Sequence, residues 1–452
     1  MRKMIPTLFV VASVVAGCAG PEPAGEALPE PPSLAPTAIQ TDPACASACV
    51  APLGTGPARA LVLPLGYDCS GSCFEPSVAI DGDGRILASR GYTPSGLAVS
   101  EDGGATWQSR DRPPVPEGRG PTLLNQGDIT LQSAPDGSVY YTLLYIDLFE
   151  PVAGSLLVLD GMQVAATRDG GLTWHVNKYL SFRDGPGNLQ AINPDRQWLA
   201  FGPGSTVYVS VNFFSPVVLA SGLSPFGIYV ARSDDGGAVW GDFVPVAMNL
   251  DRGIMVAGGA GRAAVSDDGT VFLPLRDDGD STPFLGIQGD HVSGLAVAVS
   301  KDQGATWERR LVDAAGVGDR MAWLPQISWD QDALHLAWID VEGGIWAARS
   351  LDGGETWGPG VRLAQDAVVG PWIESGPLGS YVAWSTGTQD RFDVHIGRID
   401  WATNRTFSLT LAQQQHGNHG NTDFSHFDLT SAGQPVVVWA NNEDDLYVGT
   451  WS

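Results

Sequence analysis

Three of the chain's seven histidines fall within eleven residues, in HGNHGNTDFSH, which sets His416, His419 and His426 around Asp423. Imidazoles beside a carboxylate form a ligand set for a transition metal. The run is also rich in Gly and Asn, so solvated loop histidines are the plainer reading. Charged residues recur at a second kind of place, just ahead of short β-rich runs. Glu75 (FEPS), Asp128 (NQGDI), Asp195 and Arg196 (NPDRQW), Arg320 (VGDRM), and Asp423 and Asp428 (DFSHFD) all stand there. If those runs were the inner strands of a ring, these side chains would meet at one mouth. Several carboxylates there could hold a Ca²⁺-like cation through oxygen; acids that cap strands and bind water are the bland alternative. No G-x-S-x-G, H-E-x-x-H or phosphate loop occurs.

A repeat could place those residues on one axis. The octapeptide SEDGGATW (100–107) returns as TRDGGLTW, SDDGGAVW, SKDQGATW and SLDGGETW. Its acid is Asp102, Asp169, Asp235, Asp302 and Asp352, each five positions ahead of Trp107, Trp174, Trp240, Trp307 and Trp357. DWATNRTF (400–407) reads as a sixth, decayed copy with Ala402 in place of the acid. Short apolar arms around a DG-type or Gly-containing turn recur seven times, from SVAIDGDGRILASR to FDLTSAGQPVVVWA. No stretch holds a helical period, so the fold is expected to be all-β. A period near fifty residues with several strands per unit signals a β-propeller of four-stranded blades. Seven blades are expected, or six if an end unit is an add-on. Units two to four exceed the period, which predicts insertions between second and third strands near 145–162, 212–227 and 276–293. The last unit has three strands, so ARALVLPL (58–65) is expected to complete it and close the ring.

Within the octapeptide the chemistry is local. A short carboxylate can accept backbone N–H and hydroxyl bonds within its own turn. Gly supplies positive φ, and Trp packs against the neighbouring blade. The pattern S/T-x-D-x-G-x-T-W resembles the Asp box, or BNR repeat, of the sialidase superfamily, with Val239 replacing Thr in the third copy. The resemblance spans the folded region as a repeat pattern. It implies a propeller whose Asp boxes are structural and lie opposite the active face. Sialidases also resemble one another in an F/Y-R-I-P motif, whose Arg grips the substrate carboxylate by bidentate bonds. Here CFEPS puts Phe74 at that position. Arg196, Arg252, Arg276, Arg320 and Arg391 lie on mouth loops, but in no pattern that matches the rest of the triad. The family has six blades, so both departures argue against sialic acid cleavage. The chain resembles more closely exported proteins with EPS-x-A and D-R/K-x-W-x-A blade openings.

Arg2 and Lys3 precede an apolar run ending in VAGC, which reads as a secretory signal over 1–17. VAGC resembles the lipobox of bacterial lipoproteins, which implies that Cys18 carries lipid and that the protein is anchored to the cell envelope. Ala19 in the next position implies an outer-membrane or surface location. Residues 18–57, rich in Pro and Ala, read as a tether, and 58–452 as the propeller. Cys45, Cys49, Cys69 and Cys73 suggest two disulfides, with local pairs favoured among three connectivities and a CxxxC metal site as the alternative. The net charge of −25, with 3 Lys against 22 Arg, excludes nucleic acid and anionic membranes as bulk-charge partners. The expected function is glycan or protein binding through the mouth, without catalysis. The alternative is a glycoside hydrolase or lyase using mouth carboxylates such as Asp128 and Asp195.

Overall fold

Runs such as SVAI and ILAS are too short for helices and rich in small or β-branched residues. They form the strands Ser77–Ile80 and Ile86–Ser89, buried along their whole length. A strand buried on both faces needs a layer on each side, and the chain provides it by repeating one sheet around an axis. The computed structural model describes residues 38–39, 59–63, 76–89, 96–116, 124–125, 129–149, 156–181, 193–214, 227–248, 261–277, 294–313, 321–330, 332–340, 342–388, 391–416, 426–440 and 446–450. Among these residues there are strands and turns but no helix. Seven antiparallel sheets form the seven blades of a β-propeller.

In blades 1 to 6 the strands run in chain order from the axis outward. Blade 1 is Ser77–Ile80, Ile86–Ser89, Leu97–Ser100 and Gln108–Arg110. Blade 2 has its inner strand in two pieces, Leu124–Asn125 and Thr130–Ser133, both paired to Val139–Phe149, then Leu156–Thr167 and Val176–Ser181. Blade 3 is Asn193–Phe201, Val207–Phe214, Gly227–Ser233 and Val244–Met248; blade 4 is Ala264–Val265, Val271–Asp277, Gly294–Ser300 and Glu308–Leu311. Blade 5 is Met321–Asp330, Ala333–Asp340, Ile345–Ser350 and Val361–Ala364; blade 6 is Ala367–Gly376, Gly379–Gly387, Arg391–Asp400 and Arg405–His416.

Blade 7 takes His426–Leu429, Pro435–Ala440 and Leu446–Thr450 from the end of the chain, and Arg59–Leu63 from its start. The early strand pairs from Arg59↔Thr450 to Leu63↔Leu446. This is the closure expected from the sequence, and it satisfies an edge that would otherwise present unpaired backbone. The apolar core divides as the blades do. Each of seven buried clusters joins a pair of neighbouring blades, and the one between blades 6 and 7 also takes in Trp198 of blade 3; Val78, Ile86, Val436 and Val448, for example, join blades 1 and 7.

Three expectations change in detail. The extra residues of the second unit, expected as an insertion near 145–162, are built into the second and third strands. They lengthen a hairpin, Val139–Phe149 against Leu156–Thr167, with a register shift between Leu159 and Gly161. The acid of the sixth octapeptide is not lost to Ala402. Asp400 supplies the carboxylate from a position earlier in the turn, accepting from Ala402 N at 3.0 Å and the Thr403 hydroxyl at 2.8 Å. Within the tether, Ala38–Ile39 pair with Ser408 and Leu409 on the outer edge of blade 6.

The octapeptide turns join third to fourth strands, on the face away from the inner-strand starts. In the first, the Thr106 hydroxyl donates to Asp102 Oδ2 at 2.6 Å and Thr106 N to Oδ1 at 2.7 Å. The Ser100 hydroxyl donates to Oδ1 at 2.9 Å while its oxygen accepts from Gly104 N at 2.8 Å. Gly103 and Gly104 hold φ of 68° and 92°, where a Cβ is strained. In the fourth copy Gln303 takes the first of these positions at φ 60°. These bonds lower Asp102, Asp169, Asp302 and Asp352 to about 2. At Asp102 and Asp302 the threonine hydroxyl is the leading cause; at Asp169 and Asp352 burial pushes upward and the hydrogen bonds together outweigh it.

Candidate functional site

The inner strands of blades 3, 5 and 6 each carry a register shift near their starts, between Asp195 and Trp198, Trp323 and Gln326, and Val369 and Trp372. Bulges bend a strand and re-aim its side chains. In blade 3 the bulge holds Arg196 at φ 55°, a left-handed conformation uncommon outside glycine. The bulges precede Trp198 and Trp372, the two large aromatics of the axis.

Trp198 of blade 3 is buried in the apolar cluster of blades 6 and 7, with its ring 5.3 Å from that of Trp372. His426 of blade 7 sets its ring edge-on to Trp372 at 4.3 Å. Arg262, at the start of blade 4, lies 5.2 Å above the same ring and forms an ion pair with Glu374 of blade 6, Nη1 to Oε1, at 2.6 Å. Glu374 also accepts from Trp372 Nε1 at 3.1 Å. Blade 5 holds the arginine from below, with Gln326 Oε1 accepting from Arg262 N at 3.1 Å. The residue before it must be glycine, because a Cβ on Gly261 would lie 1.9 Å from Pro325 O. Side chains from opposite sides of the ring therefore meet across the axis.

Beside this cluster, blade 7 is bonded to blades 1 and 2. His426 Nδ1 accepts from Val78 N at 2.9 Å. Asp428 Oδ2 accepts from Ile80 N at 2.9 Å and from the Ser133 hydroxyl, and Oδ1 accepts from Leu429 N at 2.8 Å. Burial, and next the charge of Glu374, push the Asp428 carboxyl up to about 6, against the lowering effect of those bonds. Burial, and next the charge of Arg262, lower His426 well below the usual imidazole range.

Asp428 and His426 are the expected site residues that this centre contains. Asp195 and Arg196 stand at the blade 3 bulge. His416 ends the fourth strand of blade 6, far from the axis, while His426 opens the innermost strand of blade 7, so the chain places them at different radii in neighbouring blades. Glu75, Asp128, Arg320, Asp423, His419 and all five cysteines lie outside the described residues. Arg262, Glu374, Trp198 and Trp372 were not expected. The signal for the two tryptophans was an indole in WLAF and PWIE, where the first two units carry SVAI and TLQS.

No protein-family model matches the chain, and no curated protein matches it. Solved structures match it in fold. A protein of unknown function from Dyadobacter fermentans shares 14% identity over 74% of this chain and 96% of its own, with a TM-score of 0.50. An α-L-arabinofuranosidase from Fusarium graminearum, in complex with an iminosugar inhibitor, shares 14% over 79% and 97%, with a TM-score of 0.49. A Hadza microbial sialidase shares 14% over 81% and 73%, with a TM-score of 0.47. At these identities the likeness is one of fold.

Proposed function

We propose that this chain is an exported, lipid-anchored propeller of the bacterial cell envelope that binds a glycan or a protein through its mouth and does no chemistry on it. The supporting observation is how the axis is used. Arg262, Glu374, Asp428 and His426 are bonded to other blades, and the indoles of Trp198 and Trp372 meet 5.3 Å apart among the same strands. Catalysis needs groups aimed at a reacting atom; these are aimed at one another. Recognition then falls to the rim, where Asp195 and Arg196 stand at the blade 3 bulge. In this reading Cys18 carries the lipid and 18–57 tethers the ring at the outer membrane or the cell surface.

The test uses the full chain in detergent on glycan arrays and on immobilised envelope proteins, with aryl-glycoside and polysaccharide turnover assays alongside. Saturable binding without turnover is expected, and Arg196→Ala should weaken it. Turnover that falls at least roughly a hundredfold in Asp128→Asn or Asp195→Asn, the size of general acid–base assistance, would replace this reading with the hydrolase or lyase one.

A further inference from the structure

On the octapeptide face, the seams between neighbouring blades differ. In blade 1, Arg110 pairs with Leu97, three residues before the octapeptide serine. Its Nη1 crosses to blade 2 and donates to Gly170 O at 2.7 Å and Asp169 O at 2.9 Å. In blade 4, Arg310 holds the same register against Val297 and donates to Gly353 O of blade 5 at 3.0 Å. The two side chains are only 9% and 12% exposed, so each fills its seam. The carbonyls they reach belong to equivalent residues, the glycine after each octapeptide aspartate.

At the seam between blades 2 and 3 that arginine is missing. Lys178 has the register, paired with Val164. It is exposed, and no bond joins it to blade 3 among the described residues. The equivalent carbonyl, Gly236 O, accepts from the Tyr140 hydroxyl at 2.9 Å instead. What remains is a cleft of about 130 Å³ lined by Asp136, Tyr140, Arg168, His175, Phe201 and Asp235. Blades 3 and 5 also lack the arginine, with Val244 and Val361 at that register, but a further departure is found only at this seam. Oδ2 of Asp102, Asp169, Asp302 and Asp352 accepts a threonine hydroxyl at 2.5–2.6 Å. Asp235 takes the Val239 N–H and the Ser233 hydroxyl on Oδ1, and Val239 has no hydroxyl to offer Oδ2.

Both missing groups are donors: Asp235 Oδ2 lacks the threonine hydroxyl of the other turns, and Gly236 O, served by Tyr140, keeps its second lone pair. We propose that this cleft binds an external guanidinium group in the slot that Arg110 and Arg310 fill elsewhere. The planar fork of a guanidinium suits a carboxylate edge and a carbonyl together, and the Tyr140 and Phe201 rings, 5.0 Å apart, supply an aromatic wall. Arg168 does not compete for Asp235, because it is paired with Asp136 and bonded to Ser138 Oγ at 3.0 Å. The guanidinium could belong to a free small molecule or to an arginine side chain of a partner.

The experiment titrates the full chain with L-arginine, the peptide Gly-Arg-Gly and L-lysine, read by calorimetry and ligand-observed NMR. Two variants are compared with the native chain. Lys178→Arg lets blade 2 fill its own seam, and Val239→Thr copies the other four turns. Saturable binding of an arginine probe is expected, weakened roughly tenfold in each variant, the size of one charge-assisted hydrogen bond. Gly-Arg-Gly binding at least as tightly as L-arginine assigns the slot to a partner's side chain; binding of L-arginine alone assigns it to a free small molecule. No saturable binding, equal binding of L-lysine, or binding unchanged in both variants overturns the proposal.

Discussion

At the octapeptide turns each carboxylate bonds to groups within four positions of itself; on the axis, His426 and Asp428 bond to amides 348 positions away. The turns are repeated and exposed, whereas the axial groups occur once and are mostly enclosed. A repeated local motif fixes the shape of each blade, but it cannot say which blade stands beside which. The axial groups can, because each contact joins two particular blades. Loss of one turn should therefore loosen a blade, and loss of one axial group should loosen the ring.

The largest effect should come from Trp198→Ala, which empties the centre of that cluster and should cost roughly 3–5 kcal/mol in urea unfolding. A cost near that of a surface substitution would break the contrast. Next is Arg262→Met, which leaves the enclosed Glu374 carboxylate unpaired; a loss of about 3 kcal/mol is expected. Glu374→Gln together with Arg262→Met should recover some of it, and strict additivity of the two would argue that they are not coupled.

Asp428 gives a smaller effect with a defined sign. Its carboxyl in the folded chain, at about 6, lies above the ordinary 3.8. The folded state thus holds the proton more tightly, so this stabilising contribution is complete below the ordinary value and is lost as pH rises through about 6. Relative to Asp428→Asn, the native chain should lose about 2 kcal/mol of stability between pH 4 and pH 7.5. Chemical denaturation at the two pH values measures it, and a difference independent of pH would refute it. The octapeptide acids work in the opposite direction. Lowered to about 2, their contribution is present above the ordinary carboxylate value and lost as pH falls toward 2.

The smallest effect belongs to a single turn. Ser350 is buried, and its hydroxyl oxygen accepts from Gly354 N at 2.8 Å. Ser350→Ala should cost about 1 kcal/mol and leave ligand binding at the mouth unchanged. A loss as large as that of Arg262→Met would erase the distinction between turn and axis.

The same contrast explains what could be read from the chain. Asp102, Gly104 and Trp107 were legible because their hydrogen bonds close inside the octapeptide. Their recurrence also indicated the blades, and the short last unit showed the need for Arg59–Leu63. Arg262 was not legible, since it stands in AGRAAVS with nothing local to mark it, and its carboxylate partner is Glu374. The cleft between blades 2 and 3 was half visible. Val239 broke the motif in the sequence, but the register that sets Lys178 level with Arg110 emerges only when the strands are paired.

The strand Arg59–Leu63 has a consequence in time. It is the first propeller strand in chain order, and its partner Leu446–Thr450 is the last. Closing so long a loop costs conformational entropy before any contact across it can compensate. Blades 1 to 6 can each form from nearby chain while blade 7 waits for both ends. The folding propeller must keep an early β-edge unsatisfied until its last-numbered strand arrives, and is exposed to edge-to-edge mispairing throughout that interval.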